Sequence, residues 1–165
     1  MTAAPTAPTS APVTAPAQAH ATFTVERVYP NCRAHVWAAW SVREKKAAWM
    51  GNRDLALDFR VGGSERSVFT DQMGEHLNEG RYFEILDQQR IVLAYSMALN
   101  GRVHTVSLAT IVFADEGGGT RLIYTEQMCV IPPSDGAEGR RHGWTQLLRG
   151  LAGYLAEEGR DSRGG

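Results

Sequence analysis

The stretch Glu138–Glu157, EGRRHGWTQLLRGLAGYLAE, decides the fold. Trp144, Leu147, Leu148, Leu151 and Leu155 recur in it at helical spacing and share one face, which predicts a long amphipathic helix. Upstream, from Asp54 to Cys129, apolar residues recur with a two-residue period broken by glycine-rich turns. One apolar helix face and one large antiparallel sheet must bury each other, so the chain is expected to be α+β, with the sheet wrapped round the helix and a cavity between them.

The strands follow one another closely. Phe23–Tyr29 is β-branched and aromatic, and Pro30 with Asn31 ends it and offers a helix N-cap. A short helix carrying Ala34, Val36, Trp37 and Trp40 comes next. Ser41 restarts a second, Arg43–Ala48, ending near Trp49, Met50 and Gly51. Strands are then predicted at Asp54–Arg60, Ser64–Thr70, His76–Leu86, Arg90–Leu99, His104–Ala114 and Thr120–Cys129, about seven in all with the first. Ile91, Leu93, Tyr95, Met97 and Leu99 alternate cleanly on one face, and Asn100-Gly101 reads as a type I′ hairpin turn. Loops this short make successive strands antiparallel neighbours. Pro132 and Pro133 stop the last strand, and Ser134 and Asp135 offer caps to the long helix. Gly139, Gly143 and Gly150 lie near one another on its wheel, each costing ~1 kcal/mol against alanine, which predicts either a close approach to the helix backbone or tight packing.

Composition excludes several functions. The chain has 165 residues, enough for one domain, and 17 basic against 18 acidic side chains with no basic block to follow a phosphate backbone, so nucleic acid is not an expected partner. No stretch approaches the ~20 apolar residues of a membrane span. Residues 1–21 are rich in Ala, Pro and Thr, and Pro5, Pro8, Pro12 and Pro16 interrupt any secretory apolar run; this segment is expected to be a disordered tail, and residues 159–165 a flexible one, flanking a domain at 22–158. Cys32 and Cys129 lack a nearby second ligand at metal-site spacing and read as reduced, buried thiols of a cytoplasmic protein. His20, His35, His76, His104 and His142 are scattered, so neither a metal nor a cofactor is expected.

The element order, a strand, two short helices, six further antiparallel strands and a long helix, resembles the helix-grip fold of the START-like, or SRPBCC, superfamily. Local patterns are similar to the branch related to the C-terminal domain of activators of the heat-shock protein 90 ATPase. They include Val36-Trp37 with Trp40, Trp49-Met50-Gly51, Val61-Gly62-Gly63, Gly80-Arg81-Tyr82-Phe83-Glu84-Ile85 and Ser107-Leu108-Ala109-Thr110. Gly119-Thr120-Arg121-Leu122, Tyr124-Thr125-Glu126-Gln127 and Arg141 with Gly143-Trp144 continue the series, in order, over about residues 22 to 157. Met50 stands where family members often have an aromatic, and Met128, Cys129 and Val130 stand where they often have a Gly-Ala-aromatic run, so the pocket mouth is expected to differ in shape.

The resemblance implies a cavity for a small hydrophobic molecule between sheet and helix. Its expected lining is Trp40, Trp49, Phe59, Phe69, Tyr82, Tyr95, Met97, Tyr124, Glu126, Met128, Trp144 and Leu148. Strand alternation puts Glu126 on the face of Leu122, Tyr124 and Met128. There it is a candidate general acid or base facing a dry cavity, or the partner of an arginine such as Arg27 or Arg66, or a solvated residue at the sheet edge. Tyr95 and His104 are the other candidate catalytic groups, and either face is open to His104. Three functions follow: binding of a lipid or polyketide-like ligand, which is favoured; a cyclase- or hydrolase-type reaction using Glu126; and a co-chaperone-like interaction. The activators that suggest the last carry a further N-terminal domain, where this chain has the Ala/Pro/Thr segment. The outward sheet face is a possible homodimer surface.

Overall fold

The computed structural model describes residues 19–132, 134 and 136–161. The elements run β1 (Ala19–Tyr29), α1 (Arg33–Ser41), α2 (Arg43–Met50), β2 (Ala56–Leu57), β3 (Ser64–Asp71), β4 (Gly74–Leu86), β5 (Arg90–Leu99), β6 (Arg102–Glu116), β7 (Gly119–Val130) and α3 (Gly136–Asp161). The seven strands form one sheet in the order β1-β7-β6-β5-β4-β3-β2, with every pairing antiparallel. This is the α+β arrangement that the sequence pattern predicts, in the helix-grip form that the resemblance implies.

Local chemistry explains the turns. Asn100 and Gly101 both take positive φ, 51° and 78°, as a type I′ turn requires, and Leu99 pairs with Arg102 across it. Gly117 and Gly118 close the next hairpin in the same left-handed region.

Several boundaries differ from the reading of the sequence. Ala19–Ala21 belong to β1, paired with Val130, Cys129 and Met128, so the ordered domain begins earlier than residue 22; residues 1–18 of the expected tail lie outside the described residues. α3 continues through Gly159 to Asp161, and residues 162–165 lie outside the description. Pro133 and Asp135 are likewise outside it, and Ser134 Oγ accepts the Gly136 N–H at 3.2 Å. The predicted strand Asp54–Arg60 shrinks to two residues, because Asp58, Arg60 and Gly63 bond one another in a tight turn. Cys32, not Asn31, is the N-cap of α1, since the Asn31 amide turns instead to His35 Nδ1 and the Leu155 carbonyl. Cys32 is exposed and Cys129 only half-buried, so neither is the buried thiol expected.

The core lies between the concave sheet face and α3. Tyr29, Ile91, Ile111, Phe113, Leu122 and Tyr124 meet Leu148, Leu151 and Leu155 there, with Val36, Trp37 and Trp40 of α1 closing one side. Leu151 and Leu155 are fully buried, which stabilises by about 1.5–3 kcal/mol for each. Tyr29 donates its hydroxyl to the Leu148 carbonyl at 3.0 Å and so pins α3 to the edge strand. Near its C-terminus α3 is held by Glu158, which accepts from Lys45 at 2.5 Å, His35 at 2.8 Å and Tyr154 at 2.5 Å. Burial works against that carboxylate's charge, yet these donors outweigh it and bring its pKa down to about 2.

Gly143 and Gly150 do not make the close approach that their wheel positions suggest. A Cβ on Gly143 or Gly153 would meet nothing within 4 Å, and one on Gly150 would meet only the Trp49 carbonyl at 3.6 Å. Gly153→Ala is therefore expected to stabilise the protein by about 0.5–1 kcal/mol, read as a higher urea midpoint with unchanged slope. A loss of stability instead would show an obstruction at this exposed helical position.

Candidate functional site

Glu126 organises the inner face. Alternation along β7 directs it inward between Tyr124 and Met128, and on β6 it stands opposite Ala109, whose methyl leaves room for partners. It is fully buried. Ser107 Oγ donates to its Oε1 at 2.6 Å, Arg140 Nη1 donates to the same oxygen at 3.0 Å, and the Tyr124 hydroxyl donates to Oε2 at 2.9 Å. Arg140 reaches in from the second turn of α3, its guanidinium fork also donating to the Tyr95 oxygen at 2.9 Å and to Thr105 Oγ1 at 2.7 Å.

The proton order of this network follows from its geometry. The Tyr124 proton is committed to Glu126, so the 3.2 Å contact between hydroxyls is a bond donated by Tyr95 to the Tyr124 oxygen. Burial pushes the Tyr95 hydroxyl up to about 12, and burial drives Tyr124 well above its ordinary value, aided by the adjoining Tyr95 hydroxyl and Glu126 carboxylate. Both phenols stay neutral. Burial opposes the Arg140 charge, but Tyr95 and Glu126 more than restore it and hold the guanidinium above its usual range.

Beside this network lies a cavity of about 20 Å³, room for a single water. Trp40, Met50, Leu93, Ile111 and Trp144 give it apolar walls, and Tyr95 and Tyr124 face it from the network. Lys46, Glu65 and Asn78 supply polar groups. Lys46 of α2 and Glu65 of β3 form a buried ion pair, and Glu65 also accepts the Tyr82 hydroxyl. Lys46 Nζ sits 5.4 Å from the centre of the Trp40 ring, a cation–π contact. Burial, reinforced by the Glu65 charge, keeps the Tyr82 phenol protonated far above its normal range.

Trp144 closes the cavity from α3. Its indole stacks on Tyr124 with centroids 3.9 Å apart and runs nearly parallel to Trp40, 6.0 Å away at 8°. Its Nε1 approaches the Tyr95 oxygen at 3.5 Å, a long contact.

Of the residues expected to line a pocket, Trp40, Tyr95, Tyr124 and Trp144 do so. Glu126 stands behind them, bound to Tyr124. Tyr82 bonds Glu65, Trp49 packs against Trp40 at a tilt of 50° and donates to the Ala39 carbonyl at 2.7 Å, and Phe59 packs edge-on against Trp37 and Tyr82. Met97, Met128 and Leu148 are core side chains. Phe69 does not join them: it lies past the cavity, 42% exposed and stacked on His76. His104 falls on the outer parity of β6 with Val106 and Leu108, opposite to Thr105 and Ser107, which separates it from Glu126. The arginine that meets Glu126 is Arg140, whereas Arg66 pairs with Glu79. A wider depression of about 370 Å³ at the β1–β7 edge, against His20, Thr22, Gln127 and Cys129, is open to solvent and shows no such convergence of polar groups.

Among the described residues no helix is long and apolar enough to cross a membrane. No curated protein matches the chain. A protein of known structure from Rhizobium leguminosarum shares 33% identity and superposes with a TM-score of 0.81, over 86% of this chain and 97% of its own. Mll3558 from Rhizobium loti shares 36% identity with a TM-score of 0.79, covering 84% of this chain and 99% of its own. DynU16, a protein of the dynemicin biosynthetic locus, has the same fold at 20% identity and a TM-score of 0.65, over 82% of this chain and 47% of its own. The model of the family described as Activator of Hsp90 ATPase homolog 1-like protein matches residues 32–156, the span that holds both polar clusters and the cavity, and the chain belongs to that family.

Proposed function

We propose that the protein binds a small hydrophobic or aromatic molecule, lipid or polyketide-like, between its sheet and α3. The supporting observation is the cavity itself, whose aromatic walls end in two separate polar clusters, Arg140–Glu126–Tyr95–Tyr124 and Lys46–Glu65–Tyr82. Ligand sites commonly pair apolar walls with a few fixed polar groups in this way. Catalysis through Glu126 has less support, because three of its roughly four acceptor sites are taken by Ser107, Arg140 and Tyr124 and it stands behind the cavity rather than lining it. Glu126 is a positioning group for Arg140 and Tyr124.

At about 20 Å³ the cavity is far below the roughly 300–1,000 Å³ of ligand pockets, so binding requires Trp144 to withdraw. Gly143, the residue before it, has no packing contact where its Cβ would stand and weakens the helix at that point. Thermal unfolding of the protein and of Trp144→Ala, with a panel of uncharged aromatics, polyketide-like compounds and fatty acids, tests the reading. A bound ligand at a hundredfold excess over Kd should raise Tm by about 5–10 °C. Unchanged melting of both proteins across the panel overturns it.

A further inference from the structure

The outer face of the sheet, opposite the core, departs from what water selects. An antiparallel sheet with one face on the core normally turns polar and charged side chains outward. Here the outward side chains of β5 from Val92 to Ala98, of β6 from Val106 to Val112 and of β7 from Ile123 to Cys129 include no acid and no base, in a chain with 21% charged residues. Large apolar groups stand exposed there: Val106 at 48%, Leu108 at 40% and, at the bulge of β4 beside Val92, Phe83 at 58%. A contiguous apolar patch of this kind marks an interaction surface.

Three properties identify the partner as a second copy of this chain. The bordering charges neutralise one another in the pairs Arg66–Glu79, Glu84–Arg90 and Glu26–Arg121, so the face neither repels its own kind nor selects a charged protein. Its relief is also self-complementary. Ala94 pairs with Leu108 and Ser96 with Val106 across the ladder, which sets a trough of small side chains on β5 beside a ridge of larger ones on β6. A two-fold axis along the strands, between β5 and β6, lays the ridge of each copy in the trough of the other, Leu108 on Ala94 and Val106 on Ser96, as an isologous contact requires. Size agrees. β4 to β7, spaced about 4.8 Å apart over six residue steps of about 3.3 Å, offer a footprint of roughly 400 Å² per copy. Two copies bury about twice that, which suits a weak, reversible dimer and falls short of an obligate one.

We propose that the protein self-associates reversibly, with a Kd of about 10–500 µM, by packing the outer faces of β5 and β6 about this two-fold axis. The contact is independent of the binding reading above, because the cavity lies on the other side of the sheet.

Sedimentation equilibrium of the full chain between about 5 µM and about 1 mM should show the average mass climbing from that of one chain toward that of two. Leu108→Glu brings two carboxylates against the apolar troughs and should weaken association at least about 100-fold. Gln146→Glu, which adds the same charge on the exposed side of α3, should leave it unchanged. Thiol labelling gives a readout that needs no variant. Cys129, half-buried on the outer face beside Val106, should react about 2–5-fold more slowly at the high concentration than at the low one, while the exposed Cys32 before α1 keeps its rate. The mass of one chain at every concentration overturns the proposal. A dimer that survives Leu108→Glu, or that leaves the Cys129 rate unchanged, is joined elsewhere and overturns the assignment to this face. Equal weakening by Gln146→Glu would be a general charge effect and overturns it too.

Discussion

Arg140→Met should destabilise the protein by about 3–5 kcal/mol, because it strands a fully buried carboxylate. Methionine preserves most of the apolar stem but none of the donors, so Glu126 keeps only Ser107 and Tyr124 while Tyr95 and Thr105 each lose a partner. The ion pair also bridges α3 to β7, so the start of the helix loses its principal polar anchor to the sheet. Urea denaturation measures the loss. Glu126→Gln on its own should cost less, since an amide oxygen at the Oε1 position still accepts from Ser107 and Arg140, and the NH2 at the Oε2 position can donate to Tyr124 once that hydroxyl turns away. Combined with Arg140→Met it should recover part of the stability, with a coupling of about 1–3 kcal/mol in the double-mutant cycle. A cost under about 1 kcal/mol for Arg140→Met would mean that water reaches Glu126 and that the network is not the dry cluster described.

Lys46→Met should cost a similar amount, about 3–5 kcal/mol, for a different part of the fold. Lys46 and Glu65 are 3% and 6% exposed, and their pairing ties α2 to β3, near the edge where β2 contributes only two residues. Without the ammonium, Glu65 retains the Tyr82 hydroxyl as its hydrogen-bond donor from this cluster. Adding Glu65→Gln removes the unpaired charge while leaving Tyr82 an acceptor, so the double variant should regain most of the loss. Thermal melts of the single and double variants check this, and additive losses would show that the two side chains do not interact. The neighbouring Lys45→Met supplies the contrast: it pairs with Glu158 at a half-buried position and should be much milder.

These two clusters differ in how far they could be read beforehand. Strand alternation placed Glu126 on the face of Tyr124 and Met128 but left open whether it is buried there or solvated at the sheet edge. Glu65 carried the same signal, since it shares parity with Ser67 on a strand one of whose faces must be buried. Lys46 carried none that points inward. It sits in the run Arg43-Glu44-Lys45-Lys46, which resembles a solvated helix surface, and only the seating of α2 beneath Trp40 buries one lysine and leaves its neighbour near Glu158. The face of His104 was open because it begins its predicted strand; in the structure the register also skips it, Met97 pairing with Thr105 and Ala98 with Val103, a bulge with no reliable signature in composition.

Periodicity and turn chemistry by themselves determined the α+β class, the hairpin at Asn100-Gly101, the long terminal helix and the parity that Glu126 shares with Tyr124 and Met128. All of these depend on residues close in the chain. The choice of Arg140 as partner to Glu126, the buried Lys46–Glu65 pair and the reduction of the cavity to about 20 Å³ by Trp144 belonged to the tertiary structure. Each depends on the rotation and depth at which a helix settles on the sheet. That placement is fixed by packing among residues far apart in sequence, where a shift of one side chain opens or fills a cavity.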